Sequence, residues 1–208
     1  MAARRYTPRI RQVQILQRQE RVAAAAAELH AEKGVGATSY TDIARRAGVS
    51  LPTVHSYFPT QAALLSACTG HVEARAPGLP VPAILAAPDL PAAARTLVQA
   101  MDRLHAYFEP WASWRQETAI PFLADLNATH RAQLTGVLIQ LLDRHGKGSQ
   151  VSHAAVWESL LSFDLWQRLV RQHGLKRVRV RAILTDLLMA ALGPAPSTTI
   201  QPGPRKRS

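Results

Sequence analysis

The fold of the N-terminal part of the chain is decided by residues 38–58, which read TSYTDIARRAGVSLPTVHSYF. The apolar spacing predicts two short helices, 39–47 and 51–57, around a small core of their own. Gly48 suits the positive φ of a turn between them, and Ser50 is a favoured residue at a helix N-cap. The stretch therefore predicts a helix-turn-helix, in which one short helix is held across another.

The second helix of this motif carries side chains that suit contacts with DNA. Thr53, His55, Ser56 and Tyr57 are short or planar enough to reach bases and phosphates in a major groove. An ordinary helical hairpin is the alternative, and it would be preferred if the turn stood alone. The flanks favour the DNA-binding interpretation.

A longer amphipathic helix precedes the motif and a capped helix follows it. The first, predicted at 12–33, ends at Lys33-Gly34, and Thr60 is placed to cap a helix that begins at Gln61. With these flanks the sequence resembles the TetR family of transcriptional regulators. The resemblance rests on residues 28–34, 38–48 and 49–65.

The resemblance implies a fold and a mode of action. The fold would be a three-helix DNA-binding domain followed by an all-α effector domain, dimerised through the last two long helices. The action would be repression at a palindromic operator in double-stranded DNA, relieved when a small molecule binds the effector domain. Carried over by position, the resemblance implies that Thr53 and Tyr57 contact DNA and that Thr41 meets a phosphate.

Three positions depart from the family pattern. The family commonly has Tyr where His55 stands, His where Ser56 stands, and Lys where Gln61 stands. Because these departures leave the recognition unit less cationic, we predict that the Arg-rich N-terminal arm adds contacts in a minor groove. The predicted DNA-binding residues are Thr41, Ser50, Leu51, Pro52, Thr53, His55, Ser56, Tyr57, Gln61, Arg4, Arg5, Arg9 and Arg11.

Composition narrows the function classes. The chain has 208 residues, with 25 Lys+Arg against 14 Asp+Glu, and this net charge of +11 favours a polyanionic partner. No apolar stretch approaches the roughly 18–20 residues that span a bilayer, and no hydrophobic signal core follows the Arg-rich start, so a cytoplasmic protein is expected. The one cysteine, Cys68, excludes an internal disulfide, and no zinc framework, metal site or cofactor is expected.

The chain reads as all-α throughout, because it is rich in Ala, Leu, Arg and Gln with apolar residues three and four apart. We predict a basic arm at 1–14, a helix-turn-helix domain at 15–66, a ligand-binding and dimerisation domain at 67–193, and a disordered basic tail at 194–208. Helices are predicted at 12–33, 39–47, 51–57, 61–75, 91–108, 111–120, 124–144, 152–172 and 177–192.

Aromatic residues of the second half suggest a ligand cavity. All four tryptophans lie there, and residues 101–122 combine large apolar side chains with a few polar ones, as ligand sites do. Core packing is the preferred interpretation for any one of these aromatics, so the cluster alone supports a pocket. The predicted ligand-binding residues are Met101, His105, Phe108, Trp111, Trp114, Arg115, Glu117, Phe122 and Trp157.

No catalytic pattern stands out. Residues 146–149 hint at a phosphate-binding loop, but its first glycine would fall on Leu141. His30 is predicted to be a core histidine and Cys68 an inert buried thiol. In order of preference, the chain is a ligand-responsive repressor, a DNA-binding dimer without an inducer, or an all-α enzyme with an acidic substrate.

Overall fold

The computed structural model describes residues 8–112, 121–147 and 151–193. These residues form helices, turns and loops without a strand, so the predicted all-α class is confirmed. The chain divides into two compact units, Met1–Leu79 with Arg103–Gln133 and Pro80–Asp102 with Leu134–Ser208. In the described part of the chain, no helix combines the length and hydropathy needed to cross a membrane.

The first unit begins with four helices: α1 (Pro8–Lys33), α2 (Tyr40–Ala47), α3 (Leu51–Tyr57) and α4 (Gln61–Glu73). α1 starts four residues before its predicted position, because Pro8 is well suited to a first helical turn and the residues after it are good helix formers. The arm predicted at 1–14 is therefore helical from residue 8 onward, and residues 1–7 lie outside the described residues. The predicted boundary after residue 66 falls within α4 and stays a prediction.

One apolar core joins these four helices. Val22 and Ala26 of α1 are fully buried and share this core with Ile43 of α2, Val54 of α3 and Leu65 of α4. Burying one such Val, Leu or Ile side chain contributes about 1.5–3 kcal/mol, so each short helix is held by packing more than by its own hydrogen bonds. The core thereby fixes the position of α3.

Later residues complete the first unit. They come from the end of α6 (Leu90–Phe108), a 3₁₀ turn at Glu109–Trp111 and the start of α7 (Pro121–Arg144). The Tyr107 hydroxyl donates to the Val72 carbonyl at 2.7 Å, and the Trp111 indole donates to the Ala27 carbonyl at 2.7 Å. Both aromatics therefore anchor this segment to α1 and α4 by direct hydrogen bonds.

The second unit contains α5 (Val81–Leu85), most of α6, the later part of α7, α8 (Val151–Leu160), α9 (Phe163–Gln167) with a π turn at Arg168–Gln172, and α10 (Arg177–Ala190). Three predictions need correction. Residues 76–91, a Pro-rich stretch expected to be a connector between helices, contain α5, which begins next to Pro80. The helix predicted at 152–172 is broken, because Ser162 caps a new helix by accepting from the Leu165 N–H at 3.3 Å.

The third correction concerns only the start of the helix predicted at 111–120. Trp111 closes the 3₁₀ turn instead, and residues 113–120 lie outside the described residues. The tail predicted at 194–208 also lies outside them.

A buried carboxylate ties three helices of the second unit together. Asp102 of α6 has 2% of its side chain exposed and accepts four hydrogen bonds. They come from the Trp166 indole, from Nε and Nη2 of Arg177 and from Nη1 of Arg181, each at 2.9 Å. Burial by itself raises the pKa of Asp102. The hydrogen bonds from Arg177, Trp166 and Arg181 together lower this pKa by more than burial raises it, so the net shift is downward.

Candidate nucleic-acid interface

Local capping defines the start of α2. The Ser39 hydroxyl accepts from the Asp42 N–H at 3.1 Å, and the Asp42 carboxylate accepts from the Ser39 N–H at 3.4 Å. This reciprocal pair is a capping box, in which two backbone N–H groups of the first turn find partners. The first helix of the motif therefore begins where its own sequence directs.

The turn of the motif depends on Gly48. Its φ of 66° and ψ of 38° lie in the left-handed region, and the following Val49 N–H donates to the Ala44 carbonyl at 3.1 Å. A Cβ at Gly48 would meet nothing within 4 Å, so the backbone conformation and not the available space requires glycine. The predicted role of Gly48 is confirmed.

The start of α3 is fixed by Ser50 and Thr53. The Ser50 hydroxyl accepts from the Thr53 N–H at 3.3 Å, and the two hydroxyl oxygens are 2.8 Å apart. Ser50 is thus the N-cap that the sequence predicts. It also holds the half-buried Thr53 side chain at the N-terminal end of the helix.

The remaining residues of α3 divide between an inner and an outer face. Val54 is fully buried in the core, whereas Leu51, Pro52, His55 and Ser56 are exposed. Of the other predicted DNA contacts, Thr41 and Gln61 are exposed at the starts of α2 and α4, and Tyr57 is half-buried. The motif brings these predicted residues together on helices that share one core.

Tyr40 is a member of this surface that the sequence did not indicate. Its ring stacks on the imidazole of His55 with centroids 4.7 Å apart and an interplanar angle of 9°. Its hydroxyl donates to the Phe58 carbonyl at 3.4 Å, and burial raises the pKa of Tyr40. Tyr40 therefore orients His55, which sequence spacing could not reveal because the two residues sit on different helices.

The cations beside the motif are paired with carboxylates. Asp42 lies 2.7 Å from Lys33 and 2.8 Å from Arg45, and hydrogen bonds from Lys33 and Ser39 lower its pKa to about 2. Arg46 lies 2.8 Å from Glu32 and 3.1 Å from Glu28. Because residues 48–61 contain no Lys, Arg, Asp or Glu, the exposed face of α3 carries little formal charge of either sign.

Of the four arginines predicted as N-terminal DNA contacts, two lie on α1 and two do not belong to the described residues. Arg11 is exposed on α1, and Arg9 belongs to the same helix. Arg4 and Arg5 lie outside the described residues. The minor-groove arm stays a prediction.

The predicted ligand-binding residues are distributed over both units. Phe108, Trp111 and Phe122 pack against the core of the first unit, and His105 of the same unit is buried. Met101 and Trp157 belong to the second unit, and both are buried. The Trp157 indole donates to the Leu188 carbonyl at 2.9 Å. Trp114, Arg115 and Glu117 lie outside the described residues, so the ligand cavity stays a prediction.

His30 and Cys68 form a buried pair inside the first unit. The Cys68 sulfur lies 3.6 Å from Nδ1 of His30. Burial lowers the pKa of His30 to about 4 and raises that of Cys68 to about 12. A core histidine and an unreactive thiol, as predicted, are confirmed by this burial. Among the described residues, no group of three or more His, Cys, Asp or Glu is placed to hold a metal.

Comparison with protein families gives one match. Residues 22–68, which cover the C-terminal part of α1, all of α2 and α3 and the first part of α4, match the model described as bacterial regulatory proteins, tetR family. No curated protein sequence matches the chain.

Solved structures with a similar fold extend over most of the chain. A transcriptional regulator from Rhodococcus sp. RHA1 has a TM-score of 0.65 at 21% identity, covering 84% of this chain and 95% of that one. A TetR-like transcriptional regulator from the same source has a TM-score of 0.63 at 20% identity, with coverages of 84% and 95%. The multidrug binding protein EbrR, complexed with imidazole, has a TM-score of 0.58 at 20% identity, with coverages of 95% and 96%. At these identities the likeness concerns the fold.

Proposed function

We propose that this chain is a transcriptional regulator of the TetR family, which binds a palindromic operator as a homodimer and represses transcription until a small molecule releases it. The observation that carries the DNA-binding part is the outer face of α3. This face is held on a buried core, capped at its start, and lined by the polar side chains that suit a major groove. A protein with this role acts on bacterial DNA, and we therefore assign it to the cytoplasm.

The chemistry of the α3 face agrees with groove binding. Thr53 and Ser56 offer hydroxyl donors and acceptors, and His55 offers a flat ring that Tyr40 already orients. Fixed side chains lose less conformational entropy when they bind, so orientation contributes to affinity as well as to specificity. No carboxylate lies within residues 48–61 to repel phosphates.

The first experiment measures fluorescence anisotropy of DNA that flanks the gene against a scrambled duplex of equal length. We expect tight binding to the flanking DNA alone. The test variant is Ser56→Ala, which removes one exposed hydroxyl from α3, and its matched control is Ser66→Ala on the exposed side of α4. In a homodimer the variant loses one hydrogen bond of about 1 kcal/mol in each half-site, and this total of about 2 kcal/mol raises Kd roughly thirtyfold in the test variant only. Equal affinity of the two variants would remove Ser56 from the interface, and equal affinity of the wild type for both duplexes would contradict the operator proposal.

Exposed apolar side chains on the C-terminal helices support a homodimer. Val156 of α8 is 44% exposed, and Val178 and Leu187 of α10 are 63% and 43% exposed. Exposed large apolar side chains are typical of surfaces that bind a partner. Val178 and Leu187 are nine residues apart and lie at opposite edges of the exposed side of α10. Ser152 and Ala155, on the same side of α8 as Val156, are small enough for another helix to approach closely.

The charges on α10 suggest how two copies meet. Arg179 and Asp186 are both exposed and seven residues apart, so they lie on one side of the helix, with Ala182 and Ile183 between them. In an antiparallel contact about a twofold axis at the level of residues 182 and 183, Arg179 of each copy faces Asp186 of the other. Such an interface is self-complementary, as twofold symmetry requires.

The ligand-responsive part of the proposal rests on the aromatic residues around Met101 and on a structural likeness. EbrR, which shares the fold, is described as a multidrug binding protein. A thermal-shift screen of small molecules would test this part, because a ligand that binds only the folded state raises Tm. The expected hit raises Tm and also releases the DNA. A DNA-binding dimer without an inducer is the second candidate, and it would be favoured by hits that leave DNA binding unchanged.

A further inference from the structure

A dense group of cations lies on the second unit, from the π turn to the start of α10. We define this basic cluster as Arg168, Arg171, Lys176, Arg177 and Arg181; the neighbouring Arg179 belongs to the contact proposed for the dimer. No Asp or Glu falls within residues 168–181. Arg168, Arg171 and Lys176 are exposed, whereas Arg177 and Arg181 reach the buried Asp102. Two guanidinium groups therefore share one carboxylate, and the cluster keeps a strong positive charge.

The cluster coincides with two departures from ordinary helix chemistry. Lys176 is the N-cap of α10 but makes no side-chain capping bond, and the first turn of α10 contains cations and no acid. Cations at this positive end of the helix dipole are electrostatically unfavourable. The residues just before it form a π turn, Arg168–Gln172, and such turns occur often at functional sites. Proteins keep locally unfavourable features of this kind mainly where function requires them.

We propose that the basic cluster binds the phosphate backbone of duplex DNA, as a second contact surface that does not read sequence. This inference rests on the proposed function. Phosphate contacts supply a large share of the affinity of DNA-binding proteins. The helix-turn-helix offers few cations for that purpose, because residues 48–61 contain none and the cations of α2 are paired with carboxylates. The arginine guanidinium, which dominates the cluster, matches the geometry of phosphate oxygens.

An anionic membrane is the competing partner, and the residues of the cluster favour DNA. Membrane-surface helices present bulky apolar side chains opposite their cations. The exposed residues of 168–179 are charged, polar or glycine, except for Val178, which belongs to the face proposed for the dimer. The surface is therefore suited to phosphates in water more than to insertion among lipid chains.

The test measures Kd for the flanking duplex and for a scrambled duplex over a series of KCl concentrations. The test variant is Arg168→Gln/Lys176→Gln, which leaves α3, Asp102 and the proposed dimer face intact. Its matched control is Arg95→Gln/Arg144→Gln, which removes two exposed cations of the same unit outside the cluster. Circular dichroism and Tm establish that both variants fold.

We expect the slope of log K against log[salt] to fall by about 0.9 for each phosphate that the protein no longer neutralises, hence by about 1.8 per protomer and about 3.6 for the homodimer, with both duplexes affected alike. The control should keep the wild-type slope. Equal slopes in the two variants overturn the inference, while operator binding by the wild type leaves the proposed function in place. Binding of the wild type to phosphatidylglycerol vesicles that disappears in the test variant, with an unchanged DNA slope, overturns it in favour of a membrane.

Discussion

Replacing Asp102 by Asn removes the negative charge that holds α6, α9 and α10 together. The carboxylate accepts two hydrogen bonds on each oxygen, from Trp166, Arg177 and Arg181. An amide keeps one accepting oxygen, and its NH₂ group then faces guanidinium donors, which also cannot accept a hydrogen bond. The variant therefore loses hydrogen bonds and acquires a repulsive interaction.

The size of the stability loss in Asp102→Asn depends on how far the two arginines are buried. Removing one partner of a buried ion pair costs about 3–5 kcal/mol when the remaining charge stays buried. Here Arg177 and Arg181 keep 43% and 35% of their side chains exposed, so water partly replaces the missing carboxylate. We expect a loss of about 2 kcal/mol, which lowers Tm by about 4–8 °C for a chain of this size.

Thermal unfolding followed by circular dichroism at pH 7 measures this loss. The control is Asp143→Asn, at an exposed carboxylate of the same unit, which should change stability by no more than about 0.5 kcal/mol. If the two variants melt at the same temperature, the buried cluster contributes no net stability and the reasoning is refuted.

The pH dependence supplies a second check. The pKa of Asp102 is lowered in the folded state, so its contribution is present above the unfolded value of about 3.9 and is lost as the pH falls through the folded pKa. The difference in stability between wild type and Asp102→Asn should therefore be constant near neutral pH and shrink in acid. A difference that grows in acid would contradict the downward shift.

Three further predictions follow from the same structure. Gly48→Ala should cost about 1–2 kcal/mol in chemical unfolding because of its left-handed φ, whereas Gly36→Ala, with no positive φ, should cost less. His30 has a pKa of about 4 in the folded protein and about 6.5 in the unfolded chain, so wild-type stability should fall as the pH drops from about 6.5 toward 4. His30→Leu should flatten this fall, and an unchanged pH profile would contradict the lowered pKa of His30. In sedimentation experiments Arg179→Asp should weaken a homodimer, and Arg179→Asp/Asp186→Arg should restore it, whereas two equally dissociated variants would argue against the reciprocal pair.

Much of the DNA-binding motif was predictable from the sequence because its signals act over a few residues. Ser50 and Thr60 cap the helices that follow them, and Gly48 adopts the conformation that its turn requires. The break at Ser162 was missed even though serine is a good N-cap, because the apolar spacing continues across it. Helix α5 was missed because it has only five residues, one of them Pro82, and so carries too little periodicity to be recognised.

By itself, the sequence determined where the helices of the motif start and stop, the all-α class and the excess of positive charge. Helix boundaries depend on local backbone conformation, which neighbouring residues along the chain set, and the net charge depends only on residue counts. Only the tertiary structure decided that Tyr40 orients His55 and that Asp102 joins Trp166 and two arginines from 64 to 79 residues away. Such partners meet when helices pack, and packing depends on the shapes of whole faces, which no local pattern specifies.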